Sequence, residues 1–181
     1  MALVLAASVS CCAGSHAPGP LDRFEATLAR HASATAALGE WCVTEGISAA
    51  PDIRALPAVG EDRAPTPAVR EALGVGPDAR LGYRHVRLVC GDAVLSVAHN
   101  WYVPARLTPA MNQALETSDA PFGKVVAPLG YRREERPARR GGGDSCPAGT
   151  VLTKGAVLRL PDGRPIALVI ECYTGAILPP Q

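Results

Sequence analysis

A single glutamate stands in the apolar run Ile166–Tyr173, IALVIECY. An ionised carboxylate is costly in such surroundings unless a cation pairs with it or a proton neutralises it. Glu171 therefore marks either a ligand pocket or a buried ion pair, with Arg87 or Arg84 as the expected partner. The second concentration of chemistry is Leu81–Pro104, LGYRHVRLVCGDAVLSVAHNWYVP. Alternation puts Tyr83, His85, Arg87 and Val89 on one strand face, and it separates Leu95, Val97, His99 and Trp101 from Ser96, Ala98, Asn100 and Tyr102. A mid-strand guanidinium is ordinary on a wet face and needs an anion on a covered one. The two histidines have no serine or cysteine nucleophile context and read as polar strand residues.

The elements that must position these groups follow from pattern and punctuation. Gly91-Asp92 joins the two strands of the central stretch, glycine supplying the positive φ that a tight turn asks for. Leu21–Cys42 carries an apolar stripe at helical spacing and predicts one amphipathic helix. A short strand is expected around Ile53–Val59. Thr66-Pro67 and Thr108-Pro109 are helix starts, with threonine as cap and proline in the first turn. Phe122–Ala127 is a further short helical or extended piece. Arg132–Gly149, RREERPARRGGGDSCPAG, is a surface loop by composition, its five arginines solvated or gathered as a basic lip over an anion. Val151–Leu160 and Pro165–Ile177 close the chain as a hairpin around Pro161-Asp162-Gly163-Arg164.

The 181 residues carry a net charge of +1, which argues against a broad nucleic-acid surface, and 4% aromatics, so Val, Leu, Ile and Ala must build the core. Residues 1–18 hold a short apolar run followed by small residues and read as an export signal, or as a lipid-anchor segment through Cys11 or Cys12. Residues 19–181 then form one domain, exported to a periplasm or tethered to a membrane; without a working signal the chain is cytoplasmic. Of six cysteines, four would remain, with no CxxC pair and hence no zinc site. Cys42–Cys146 is the expected disulfide, with Cys90 and Cys172 as buried strand residues.

Four pieces then lie in order: the strand with Arg87 ending in VCGD, the WYVP closing the next strand, APFGK after a helix, and LRLPDGRPIALVIECY. Together they resemble the chorismate pyruvate-lyase family over roughly Leu81–Leu178, and the last hairpin is the best match. The resemblance implies an α+β fold, a single antiparallel sheet with helices on one face, shared with the effector-binding domains of some bacterial transcription regulators. It implies elimination of pyruvate from chorismate to leave 4-hydroxybenzoate, with neither metal nor organic cofactor. Carried over, Glu171 takes the place of the family's glutamate and Phe122-Gly123 that of its backbone contact. His85 falls where an arginine is expected, with Arg87 two residues along on the same face as the carboxylate clamp. Asn100 replaces a second arginine, which removes a bidentate charge-assisted pair. The alternative is therefore a non-catalytic exported protein that binds a small aromatic acid. The partner expected under either reading is an aromatic or cyclohexadiene carboxylate, held by a monomer with no nucleic-acid partner.

Overall fold

The computed structural model describes residues 17–49, 52–60, 62–143 and 145–178. Its backbone is a mixed succession of helices and strands: α1 (Pro20–Arg30), α2 (Ala34–Thr44), β1 (Ile53–Pro57), α3 (Pro67–Leu73), β2 (Gly82–Cys90), β3 (Ala93–Tyr102), α4 (Pro109–Thr117), α5 (Phe122–Val126), β4 (Arg132–Glu135), β5 (Arg139–Arg140), β6 (Thr150–Arg159) and β7 (Pro165–Thr174). The strands form one antiparallel sheet in the order β1-β2-β3-β7-β6-β4, with β5 also paired to β6. The fold class is thus α+β, as the resemblance implied.

Both hairpins follow their sequence signals. Gly91 turns at φ 56° between β2 and β3. Thr66 and Thr108 cap α3 and α4 by accepting from Val69 N and Met111 N. One bulge alters the alternation: Leu88 pairs with Ser96 but Val89 pairs with Val94, so Leu95 is the extra residue on β3. It packs with Ala98 in the core under α1 and α2 and leaves the face that strict alternation would give it.

The expected single helix is two. Arg30 Nη2 and His31 Nε2 both reach Glu40, each at 2.6 Å. In a continuous helix ten residues would span about 15 Å, so this contact exists only because the chain folds back at Ala32-Ser33. The reversal lets Phe24 of α1 meet Trp41 of α2 and Tyr173 of β7 edge-on. α1, α2, α4 and α5 cover one face of the sheet through two apolar clusters. The other face is covered in part by α3, whose Val69 and Leu73 pack on Trp101, Val103, Val157 and Leu168.

Arg132–Gly149 is likewise more than a loop. β4 pairs with β6 because its charges have partners across the ladder: Glu134 accepts from Arg159 at 2.5 Å, and Glu135 lies 3.4 Å from Lys154 Nζ. The disulfides are Cys42–Cys90, joining α2 to β2, and Cys146–Cys172, joining the segment before β6 to β7. The Cys42–Cys146 pairing is corrected: Cys42 descends onto the helix-covered face beside Cys90, whereas Cys146 approaches the sheet from the opposite side.

Candidate ligand-binding site

Ser33 is the residue before α2, yet its hydroxyl makes no capping hydrogen bond. The first N–H groups of α2 therefore keep the positive end of the helix dipole uncovered. In front of them lies a cavity of about 470 Å³ between α2, β1 and α5, lined by Ser33, Thr35, Gly39, Asp52, Lys124 and Tyr131 among others. Lys124 and Asp52 lie 3.9 Å apart at its rim, both well exposed, a separation at which an ion pair contributes little. A narrow recess of about 30 Å³ adjoins the cavity, sharing Ser33, Thr35, Gly123 and Tyr131 with it and reaching Asn100, Phe122, Arg133 and Glu171 on the sheet side.

Gly123 permits this arrangement by having no side chain. A Cβ there would stand 2.9 Å from the Tyr131 hydroxyl and 3.2 Å from the Ser33 hydroxyl. Asn100 is 4% exposed, and its amide has no hydrogen-bond partner among the described residues, so its donors and acceptor open into the recess.

Glu171 is differently placed. Arg133 Nη2 donates to Oε2 at 3.0 Å and Nη1 approaches Oε1 at 3.5 Å, while the Tyr173 hydroxyl donates to Oε2 at 3.0 Å. Arg133 Nε donates to Glu135 at 2.8 Å, and Lys154 completes an alternating network of two acids and two bases. The side chains of Arg133 and Glu171 are 9% and 7% exposed. Burial alone would pull the Arg133 pKa down, but the charges of Glu171 and Glu135 hold it above the ordinary arginine value. Burial next to Glu171 pushes the Tyr173 hydroxyl well up. A carboxylate whose oxygens both face donors is an acceptor fixed in place.

The sequence-derived residues thus divide. Glu171, Asn100, Phe122 and Gly123 come together on the helix-covered face. His85 and Arg87 face the other way, because Arg87 pairs in register with Val97, and Val97 with Cys172, while Glu171 pairs with Ala98. Residues passed over in the sequence were Ser33 and Thr35, absorbed into a helix that actually breaks there, together with Lys124, Tyr131 and Arg133. A Ser before Ala-Thr-Ala-Ala was the legible signal for the first of these. Among the described residues, no group of three or more His, Cys, Asp or Glu side chains is disposed to hold a metal ion.

His99 sits on the far face with His85, 1% exposed. Its Nε2 faces the Ser145 carbonyl at 2.9 Å and must donate, so Nδ1 accepts from the Tyr83 hydroxyl at 2.8 Å. Burial first, then the charges of His85 and Arg63, push its pKa down to about 4; burial and Arg63 lower His85 as well. A histidine that resists protonation when folded binds its proton more readily when unfolded. Its contribution to stability is whole above its ordinary value of 6.5 and is lost as the pH falls toward about 4. Urea midpoints at pH 7 and 4.5 should show this decline, and His99→Leu should flatten it.

No family model matches the chain. It is 38% identical over 177 residues to the uncharacterized protein y4mC of Sinorhizobium fredii, an overlap of 87% of this chain and 75% of that protein. The chain belongs to the y4mC family. Its fold is that of PhnF from Mycobacterium smegmatis, at a TM-score of 0.58 and 14% identity, covering 82% of this chain and 66% of PhnF, so that less than two thirds of that longer protein is matched. Against the effector domain of PhnF alone the TM-score is 0.57 at 15% identity, covering 80% of this chain and 89% of the domain. A transcriptional regulator of the GntR family from Enterococcus faecalis matches at a TM-score of 0.50 and 14% identity, covering 70% of this chain and 96% of that chain. At these identities the likeness is one of fold.

Two expectations are corrected by these neighbours. Export, and the absence of a nucleic-acid partner, are not what a fold found in transcriptional regulators supports. The export reading rested on residues 1–18, which lie outside the described residues except for the last two.

Proposed function

We propose that the chain is a non-catalytic ligand-binding module of the chorismate lyase-like fold, serving a transcription regulator and taking a small carboxylate into the cavity in front of α2. The observation that carries this reading is the uncapped start of α2 over a cavity of about 470 Å³, a size ordinary for a small-molecule site. An anionic group at that helix end would meet free backbone N–H groups, the Lys124 ammonium would add charge at the rim, and the buried Asn100 amide would read the opposite end. Against elimination chemistry stand the two hydrogen bonds that Arg133 and Tyr173 give Glu171 Oε2, with Arg133 Nη1 also facing Oε1, and the presence of Asn100 where the lyases keep an arginine. Nucleic acid then enters through the regulator that such a module would control.

Thermal-shift and calorimetric titration with 4-hydroxybenzoate and related carboxylates tests the proposal. A saturable stabilisation is expected, about 2.7 kcal/mol at a hundredfold excess over Kd. Asn100→Ala should weaken binding about tenfold, and Gly123→Leu should abolish it by filling the space under Tyr131. Carboxylates that leave the melting temperature unmoved, or binding undiminished in Gly123→Leu, would sink the reading. Pyruvate released from chorismate and lost in Glu171→Ala would replace it with the lyase.

A further inference from the structure

On the far side of the sheet a second cavity, about 350 Å³ in volume, is built on β2 and β3 and walled by the segments after β1 and before β6. Among the described residues its polar lining holds two guanidiniums, Arg63 and Arg87, and two imidazoles, His85 and His99. Among the described residues no carboxylate lines it, although the charge of Asp62 reaches His85. Ala58, Val59, Val97 and Pro147 make the remaining wall largely apolar. Cys146, tied to Cys172 of β7, anchors the wall that Ser145 also forms through its bond from His99.

Two polar atoms in this cavity are buried without a partner among the described residues, Arg87 Nε and His85 Nδ1. Other half-buried arginines of the chain are supplied with acceptors. Arg84 donates to the carbonyls of Ala120 and Ser118, Arg106 to those of Leu73 and Pro165, and Arg133 to Glu171 and Glu135. Arg87 has neither ion pair nor hydrogen bond among the described residues. Leaving a buried guanidinium donor unmatched is costly in any fold, and a planar fork of donors beside an imidazole fits the flat or tetrahedral face of an oxyanion.

We propose that this cavity is a second ligand site, binding the carboxylate or phosphate of a small organic anion through Arg87, His85 and Arg63. Arg87 supplies the charge-assisted contact with its Nε edge, Arg63 closes over the anion from the loop, and His85 donates through Nδ1. His99 takes no direct part: both of its nitrogens are already engaged, by Tyr83 and Ser145. It supports the stacked His85 ring, whose centroid lies 4.4 Å away. The apolar wall receives the body of the ligand. An arriving anion favours the charged form of His85, so binding and proton uptake at His85 are coupled.

The test is NMR of the His85 imidazole in the folded chain while inorganic phosphate and, separately, benzoate are added. A saturable shift and a rise in the His85 titration midpoint are expected with at least one of them, and the better of the two identifies the anionic group. Arg87→Met should weaken the response about tenfold or more. Arg63→Ala, on a loop and harmless to the sheet, should weaken it as well. Asn100→Ala should leave it unchanged, which separates this site from the one in front of α2. Absence of a saturable shift with both anions, or an equal shift in Arg87→Met and Arg63→Ala, overturns the proposal.

Discussion

Arg133→Met is expected to destabilise the fold by about 3–5 kcal/mol, because it leaves Glu171 as a buried charge without its cation. The pair is dry, the side chains being 9% and 7% exposed, so water cannot replace the lost donors as it would at a surface. Tyr173 still donates one hydrogen bond, which is too little to hold a carboxylate in an apolar sheet. The double variant Arg133→Met with Glu171→Leu removes both charges and should recover most of the loss, since a well-packed apolar pair is often as stable as a buried ion pair. Urea midpoints of the two singles and the double close the cycle. Singles costing under about 1 kcal/mol would put the pair in the class of exposed bridges and contradict its burial.

Phe24→Ala should cost a similar amount, about 3–5 kcal/mol. Phe24 is fully buried and its ring meets Trp41 at 5.1 Å and Tyr173 at 4.9 Å, both near perpendicular. It is thus the contact through which α1 holds both α2 and the sheet, and its removal leaves a hole ringed by rigid groups. Phe24→Leu keeps most of the volume and should cost less than about 1.5 kcal/mol. Trp41 fluorescence reports the difference: a red shift in Phe24→Ala under native conditions is expected as water reaches the α1–α2 junction. An alanine variant as stable as the parent would mean that α1 is not held through this ring.

Tyr173 touches Phe24 with its ring and Glu171 with its hydroxyl, so the helical cover and the charge network share one side chain. The cavity in front of α2 is formed where that cover ends, at the break between α1 and α2. The reversal that brings Phe24 to Trp41 also uncovers the start of α2.

Local sequence by itself determined the two hairpins, the threonine–proline helix starts and the anomaly of Glu171. Each depends on neighbours a few residues apart: alternation of side chains, a glycine at positive φ, a hydroxyl three residues before an N–H. The family resemblance pointed to Asn100, Phe122 and Gly123, which line one recess with Glu171. Tertiary structure decided the rest. Arg133 was hidden because a charge-rich segment becomes a strand only when β6 supplies Arg159 and Lys154 as partners. The helix break was hidden because what holds the reversal is tertiary, the packing of Phe24 on Trp41 of α2 and on Tyr173 of β7. Arg87 was assigned to the wrong side of the sheet for a reason of parity. Residues one apart on a strand point to opposite faces, and which face meets Glu171 is set by the register across β3, a long-range quantity that no stretch of β2 contains.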